Sequence, residues 1–154
     1  MQKKVFTFIF FLILTSCGYE AIYSKKNIKN YNFSISDLNF IGDKQFNLKI
    51  KEVLNNYTIN KKNKDFILNI STTSEKVVLV KNTAGDATSF QNIVTMNVEV
   101  LVKNIFRNSF IISESFNYDN MPNKFDLQIY EREIKNNLAE TASDKLIFRL
   151  SNIQ

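Results

Sequence analysis

The stretch Val94-Thr95-Met96-Asn97-Val98-Glu99-Val100-Leu101-Val102-Lys103 decides the fold class of this chain. Val94, Met96, Val98, Val100 and Val102 share one side of an extended backbone. Thr95, Asn97, Glu99 and Lys103 share the other, and Leu101 is the exception. Successive side chains of a strand point to opposite faces, so the run reads as a strand with one buried and one wet side. A sheet with a single apolar face needs a second layer to cover it.

The C-terminal third supplies that layer. Leu127, Tyr130, Ile134, Leu138, Ala142, Leu146 and Leu150 recur every three or four residues, the period of an amphipathic helix. It starts near Lys124, with Asn123 as its N-cap, after Asp119 to Asn123 and Pro122 have ended the sheet. A shorter helix carries Phe46, Ile50, Val53, Leu54 and Tyr57 on one face, behind Gly42-Asp43, where the Asp43 carboxylate can accept from first-turn N–H groups.

The remaining apolar runs are strands. Phe33, Ile35, Leu38, Phe40 and Ile41 form the first, with a loose two-residue alternation. Phe66, Leu68 and Ile70 begin the second, which Val77 to Val80 extend. Residues 83–89, with Gly85-Asp86, read as a hairpin loop into the Val94 strand. Arg107-Asn108 reads as the next turn. The last strand has Phe110, Ile112, Phe116 and Tyr118 on one face, interrupted by Glu114. The order strand, helix, three strands, helix defines an α+β two-layer sandwich. About four strands form an antiparallel or mixed sheet, with two helices packed on one face.

The N-terminus belongs to a different kind of segment. Lys3 and Lys4 precede Val5 to Leu14, which is apolar apart from Thr7. As a helix that run reaches about 15 Å, against a bilayer core of about 30 Å. It is too short to span and reads as the core of a secretory signal. Leu14-Thr15-Ser16-Cys17 follows: an apolar residue, small residues, then cysteine, the pattern of a lipobox. Cleavage before Cys17 and acylation of its thiol are expected. Several acyl chains on one cysteine anchor stably where a single chain holds only marginally. Residues 1–16 are then the signal peptide, 17–32 a lipidated tether, and 33–154 one domain. Cys17 is the only cysteine, so that domain has no disulfide and rests on its own core.

Chemistry is sparse. The chain has no histidine, which removes the commonest general base and metal ligand. Gly85 stands alone in its loop, without a phosphate-cradling glycine pattern. Asp126, Glu131 and Glu133 read as a solvated helix face with Lys124, Arg132 and Lys135. A serine with a lysine base has no fixed spacing to look for. The expectation is no enzyme, no metal and no cofactor. The net charge of +5 falls to +3 when Lys3 and Lys4 leave with the signal. That suits anionic lipid head groups or phosphorylated sugars better than nucleic acid behind an export signal. Lys76, Lys81, Lys103 and Arg107, placed around the central hairpin and its ends, are the candidates for such contact, and otherwise ordinary strand-end charges.

Cys17-Gly18-Tyr19-Glu20-Ala21-Ile22-Tyr23 resembles the mature start of the lipopolysaccharide-assembly lipoproteins, the LptE family. Gly18, Tyr19 and Tyr23 match, Ile22 nearly so, and Ala21 stands where proline is common. The second half is similar too. Ser115-Phe116-Asn117-Tyr118 ends a strand before a long helix with Tyr130-Glu131-Arg132-Glu133 and Leu146-Ile147-Phe148-Arg149-Leu150. The resemblance implies a lipid-anchored protein on the periplasmic face of the outer membrane. It would plug and help assemble a large LptD-type barrel and aid insertion of lipopolysaccharide into the outer leaflet, touching it through basic residues. The alternative is an auxiliary lipoprotein of an envelope lipid-transport system, which would need an apolar groove open to an acyl chain.

Overall fold

The computed structural model describes residues 31–153. The signal peptide, Cys17 and the tether up to residue 30 lie outside them. Strand β1 (Phe33–Gly42) leads through helix α1 (Lys44–Leu54) and a 3₁₀ turn (Asn55–Tyr57) to β2 (Lys64–Lys81). Then come β3 (Ala87–Val102), β4 (Ile105–Asp119) and helix α2 (Lys124–Ser151). The sheet order is β1-β2-β3-β4. β1 runs parallel to β2, and the other pairs are antiparallel, so the sheet is mixed. A parallel pair needs a crossover, and α1 supplies it.

Each element follows from its residues. Asp43 caps α1, accepting from the Phe46 N–H at 2.9 Å, and Asn123 caps α2, accepting from the Phe125 N–H at 2.9 Å. Val94, Met96, Val98 and Val100 are buried, while Asn97 and Glu99 between them face solvent. The loose alternation of β1 has a local cause. The register with β2 shifts between Ile35 and Asp37, so Ser36 is an inserted residue. Phe33 and Ile35 are inward before it, Leu38 and Phe40 after it, and a bulge switches the parity of the pleat.

The two helices and the inward sheet face enclose one core. Phe33, Phe46, Phe66, Leu68, Met96, Leu146 and Leu150 are each no more than 2 % exposed. Tyr57 stacks on Phe33 at 4.9 Å between ring centroids, tying the end of α1 to the start of β1. Ala139, Ala142 and Ser143 are buried on α2. Small residues there let the two helices approach closely, and the Ser143 hydroxyl is satisfied by the Ala139 carbonyl of its own helix.

Two turns differ from the sequence reading. The β2–β3 loop is residues 82–86, and Ala87 to Ser89 already belong to β3. The Asn82 side chain holds it closed by accepting from the N–H groups of Ala84 and Asp86. The β3–β4 turn is at Lys103-Asn104, not Arg107-Asn108. Both residues have positive φ, 50° and 63°, the two-residue geometry that suits the twist of a hairpin. Glycine usually marks such a turn, and none is present. Arg107 instead lies in β4, where the register with β3 shifts between Val100 and Leu101. Phe116, expected on the buried face, is half exposed, although Ile112 and Tyr118 of the same strand are buried.

Candidate functional site

The outward face of the sheet is the broadest surface that the helices leave open. Its rows follow from the register: Asn39, Asn69, Glu99 and Ser109 in one, and Thr73, Thr95 and Ser113 in another. Serine, threonine, asparagine and glutamine dominate, with scattered isoleucines and the carboxylates Asp37, Asp65, Glu75, Glu99 and Asp119. The regular outward positions of β1, β2 and β3 carry no lysine or arginine. The Asn39 amide donates to Asn69 at 3.1 Å, and Asn69 donates to Glu99 at 3.4 Å, a ladder crossing three strands. Around it Ile41, Ser71 and Asn97 complete a shallow depression. Such a face can exchange many neutral hydrogen bonds with a polar wall.

The inward face changes character beyond the core. β1 pairs with β2 only as far as Gly42 opposite Thr72, so β2 and β3 continue as a hairpin past the end of β1. Where it emerges from under the helices, polar residues enter its inward positions, Ser74 and Lys76 on β2 and Asn92 on β3, between the apolar Val94 and Phe90. With Gln45, Gln128, Glu131, Arg132 and Lys135 they line a cleft of about 280 Å³. Two linked clamps fill its sides. Asp43 accepts from the Ser74 hydroxyl and from Lys135 Nζ at 3.0 Å, joining α1, β2 and α2. Burial alone would raise the Asp43 carboxyl. The bonds from Ser74, the Phe46 N–H and Lys135 outweigh it and hold the group at about 2. Glu131 accepts from the Tyr118 hydroxyl at 2.9 Å and pairs with Lys76, whose ammonium lies 3.9 Å from the centroid of the Phe90 ring. Burial, and then the bond to Glu131, push the Tyr118 phenol well above its ordinary value, so it stays a donor at neutral pH. These groups are matched in pairs, and their arrangement fastens the hairpin to the helices.

Four cations were singled out by position and charge, and the structure separates them. Lys76 faces the helices, committed to Glu131, because it continues the inward set Phe66, Leu68, Ile70 and Thr72. It is therefore not part of a rim on the wet face. Lys81 closes β2 at the hairpin loop. Lys103 and Arg107 lie at the opposite end of β3, which at about 3.3 Å per residue is roughly 50 Å away. Only Lys103 and Arg107 come together. The sequence reading missed the Asp43–Lys135 and Lys76–Glu131 clamps. Their signal was present in Ser74, Lys76 and Asn92, polar residues at inward positions of otherwise alternating strands. Asp126 and Glu133 are exposed, as a solvated helix face requires, whereas Glu131 is turned inward. Among the described residues no cluster of three His, Cys, Asp or Glu could hold a metal, and no helix is long and apolar enough to cross a membrane.

Several bacterial lipoproteins of known structure share this fold. Rare lipoprotein B from Shewanella oneidensis superposes with a TM-score of 0.55 at 14% identity, over 75% of this chain and 97% of that one. A minor lipoprotein from Acinetobacter baumannii gives 0.60 at 10%, over 79% and 91%. Lipoprotein B from Nitrosomonas europaea gives 0.59 at 14%, over 82% and 90%. At these identities the likeness is one of fold. No family model and no curated protein matches the sequence.

Proposed function

We propose that this chain is a lipoprotein, anchored through Cys17 to the periplasmic face of the outer membrane. There it serves as a non-enzymatic plug and assembly partner for an LptD-type barrel that inserts lipopolysaccharide into the outer leaflet. The observation that carries this reading is the open sheet face. The lumen of a large outer-membrane barrel is polar, and a broad array of Asn, Ser and Thr side chains, interspersed with carboxylates but without Lys or Arg at the regular positions of β1 to β3, suits such a wall. The lipobox at Cys17, the start Cys17-Gly18-Tyr19 and the fold shared with solved lipoproteins support the same reading.

The competing reading needs a groove for an acyl chain. The space between the layers is filled instead by Phe33, Phe46, Phe66, Met96 and Leu146, and the cleft beside them is lined by charged and amide side chains. Purification of the tagged lipoprotein from detergent-solubilised envelopes, with mass spectrometry of what accompanies it, tests the proposal. A large outer-membrane barrel in about equal amount is the expected result. Inner-membrane transporter subunits, or lipid alone, would move the function to lipid transport.

A further inference from the structure

The end of the sheet where the described chain begins combines exposed apolar side chains with unneutralised cations. Ile59, Ile105 and Phe106 are 67 %, 62 % and 59 % exposed. Phe106 follows the Lys103-Asn104 turn, opposite Leu101, and Ile59 lies in the loop that enters β2 beside the start of β1. The register puts these segments together, since Phe33 pairs with Lys64 and Ile67 with Leu101. Lys61, Lys103 and Arg107 stand among them. The other cations of this end bond to backbone carbonyls: Lys62 to Tyr31, Lys64 to Ile153, and Arg149 to Ile111. Carboxylates neutralise Lys49, Lys76, Lys135 and Lys145 elsewhere, but among the described residues none pairs with a cation here. Lys103 also holds a left-handed φ of 50°, where asparagine or glycine costs less.

We infer that this end docks on the anionic head groups of the leaflet that holds the anchor, with Ile59, Ile105 and Phe106 entering the interface and Lys61, Lys103 and Arg107 meeting phosphates. Exposed apolar side chains flanked by cations are the combination that binds such surfaces. The position of the patch agrees with the tether. Cys17 to Tyr31 spans at most about 50 Å and joins the domain at this end, beside Phe33. The inference rests on the proposed anchor at Cys17. It adds an orientation: the domain stands on its tether end, with the hairpin loop at residues 82–86 pointing away from the membrane.

The chain contains no tryptophan, so a single Phe106→Trp substitution makes a reporter. The mature chain carrying Cys17→Ser is mixed with vesicles of phosphatidylethanolamine and about one-third phosphatidylglycerol. The expected result is co-sedimentation, abolished at 0.5 M salt, and a blue shift of the Phe106→Trp emission but not of a Phe125→Trp control at the far end. Each reversal, Lys103→Glu or Arg107→Glu, lowers partitioning about 25-fold, as expected from about five-fold per charge over a change of two charges. Lys81→Glu leaves it unchanged. No sedimentation of the parent, or equal loss with Lys81→Glu, overturns the inference. Because the protein is unlipidated and no barrel is present, that failure is separable from failure of the barrel reading.

Discussion

Replacing Asp43 by asparagine separates two roles of one carboxylate. Asparagine is as good an N-cap as aspartate, so α1 keeps its bond to the Phe46 N–H, but Lys135 loses its partner and Ser74 its charged acceptor. The carboxyl is held at about 2 against an ordinary 3.8, a difference that corresponds to about 2.5 kcal/mol. A fifth of the side chain is still exposed, and screening by water brings this to about 1.5 kcal/mol. The folded state binds this proton less readily than the unfolded chain. The contribution is therefore present in full well above pH 3.8 and is lost as pH falls through 3.8 toward 2. Urea unfolding of the Cys17→Ser mature chain is the assay. At pH 7 Asp43→Asn is expected to cost about 1.5 kcal/mol, with the gap to wild type closing by pH 2. Asp43→Ala should cost about 1 kcal/mol more at both pH values, because the cap is lost as well. Equal stability of the Asn and Ala variants at pH 7, or a wild-type–Asn gap unchanged at pH 2, would refute the reasoning.

Other substitutions probe the remaining parts of the fold. Gly42 has φ of 104°, and a Cβ there would collide with the Thr72 carbonyl oxygen, a backbone atom that cannot swing aside. Gly42→Ala should cost at least about 3 kcal/mol, read as a fall in the urea midpoint or as loss of soluble protein. Met96 is fully buried at the centre of β3; Met96→Ala should cost about 2–5 kcal/mol by the same titration. Lys103→Asn should relieve the left-handed backbone, raising thermal stability by about 0.5–1 kcal/mol while weakening binding to anionic vesicles.

The strength of the sequence signal tracked how regular each element is. β3 and α2 were legible because burial on one face leaves a clean period of two or of three to four residues. The caps at Asp43 and Asn123 were legible because a free first-turn N–H needs a side-chain acceptor. The Lys103-Asn104 turn was not, because its positive φ values are carried by residues without the usual glycine mark. β1 looked irregular because the inserted Ser36 shifts its parity, which local sequence cannot distinguish from poor alternation. The placement of the basic candidates was the least legible part. Lys76 sits on an inward position of β2, and its partner Glu131 is 55 residues away, a pairing that no local pattern encodes. The absence of lysine and arginine from the open face became visible only once the register had assigned each residue to a side.

The most direct test of the account is site-specific photo-crosslinking of the lipoprotein in intact cells from Asn97, at the centre of the open face, with Glu133 on α2 as the comparison. The account predicts a high-mass adduct to an outer-membrane barrel from Asn97 and little or none from Glu133. Adducts only to inner-membrane or soluble envelope proteins, or no preference for Asn97 over Glu133, would contradict it.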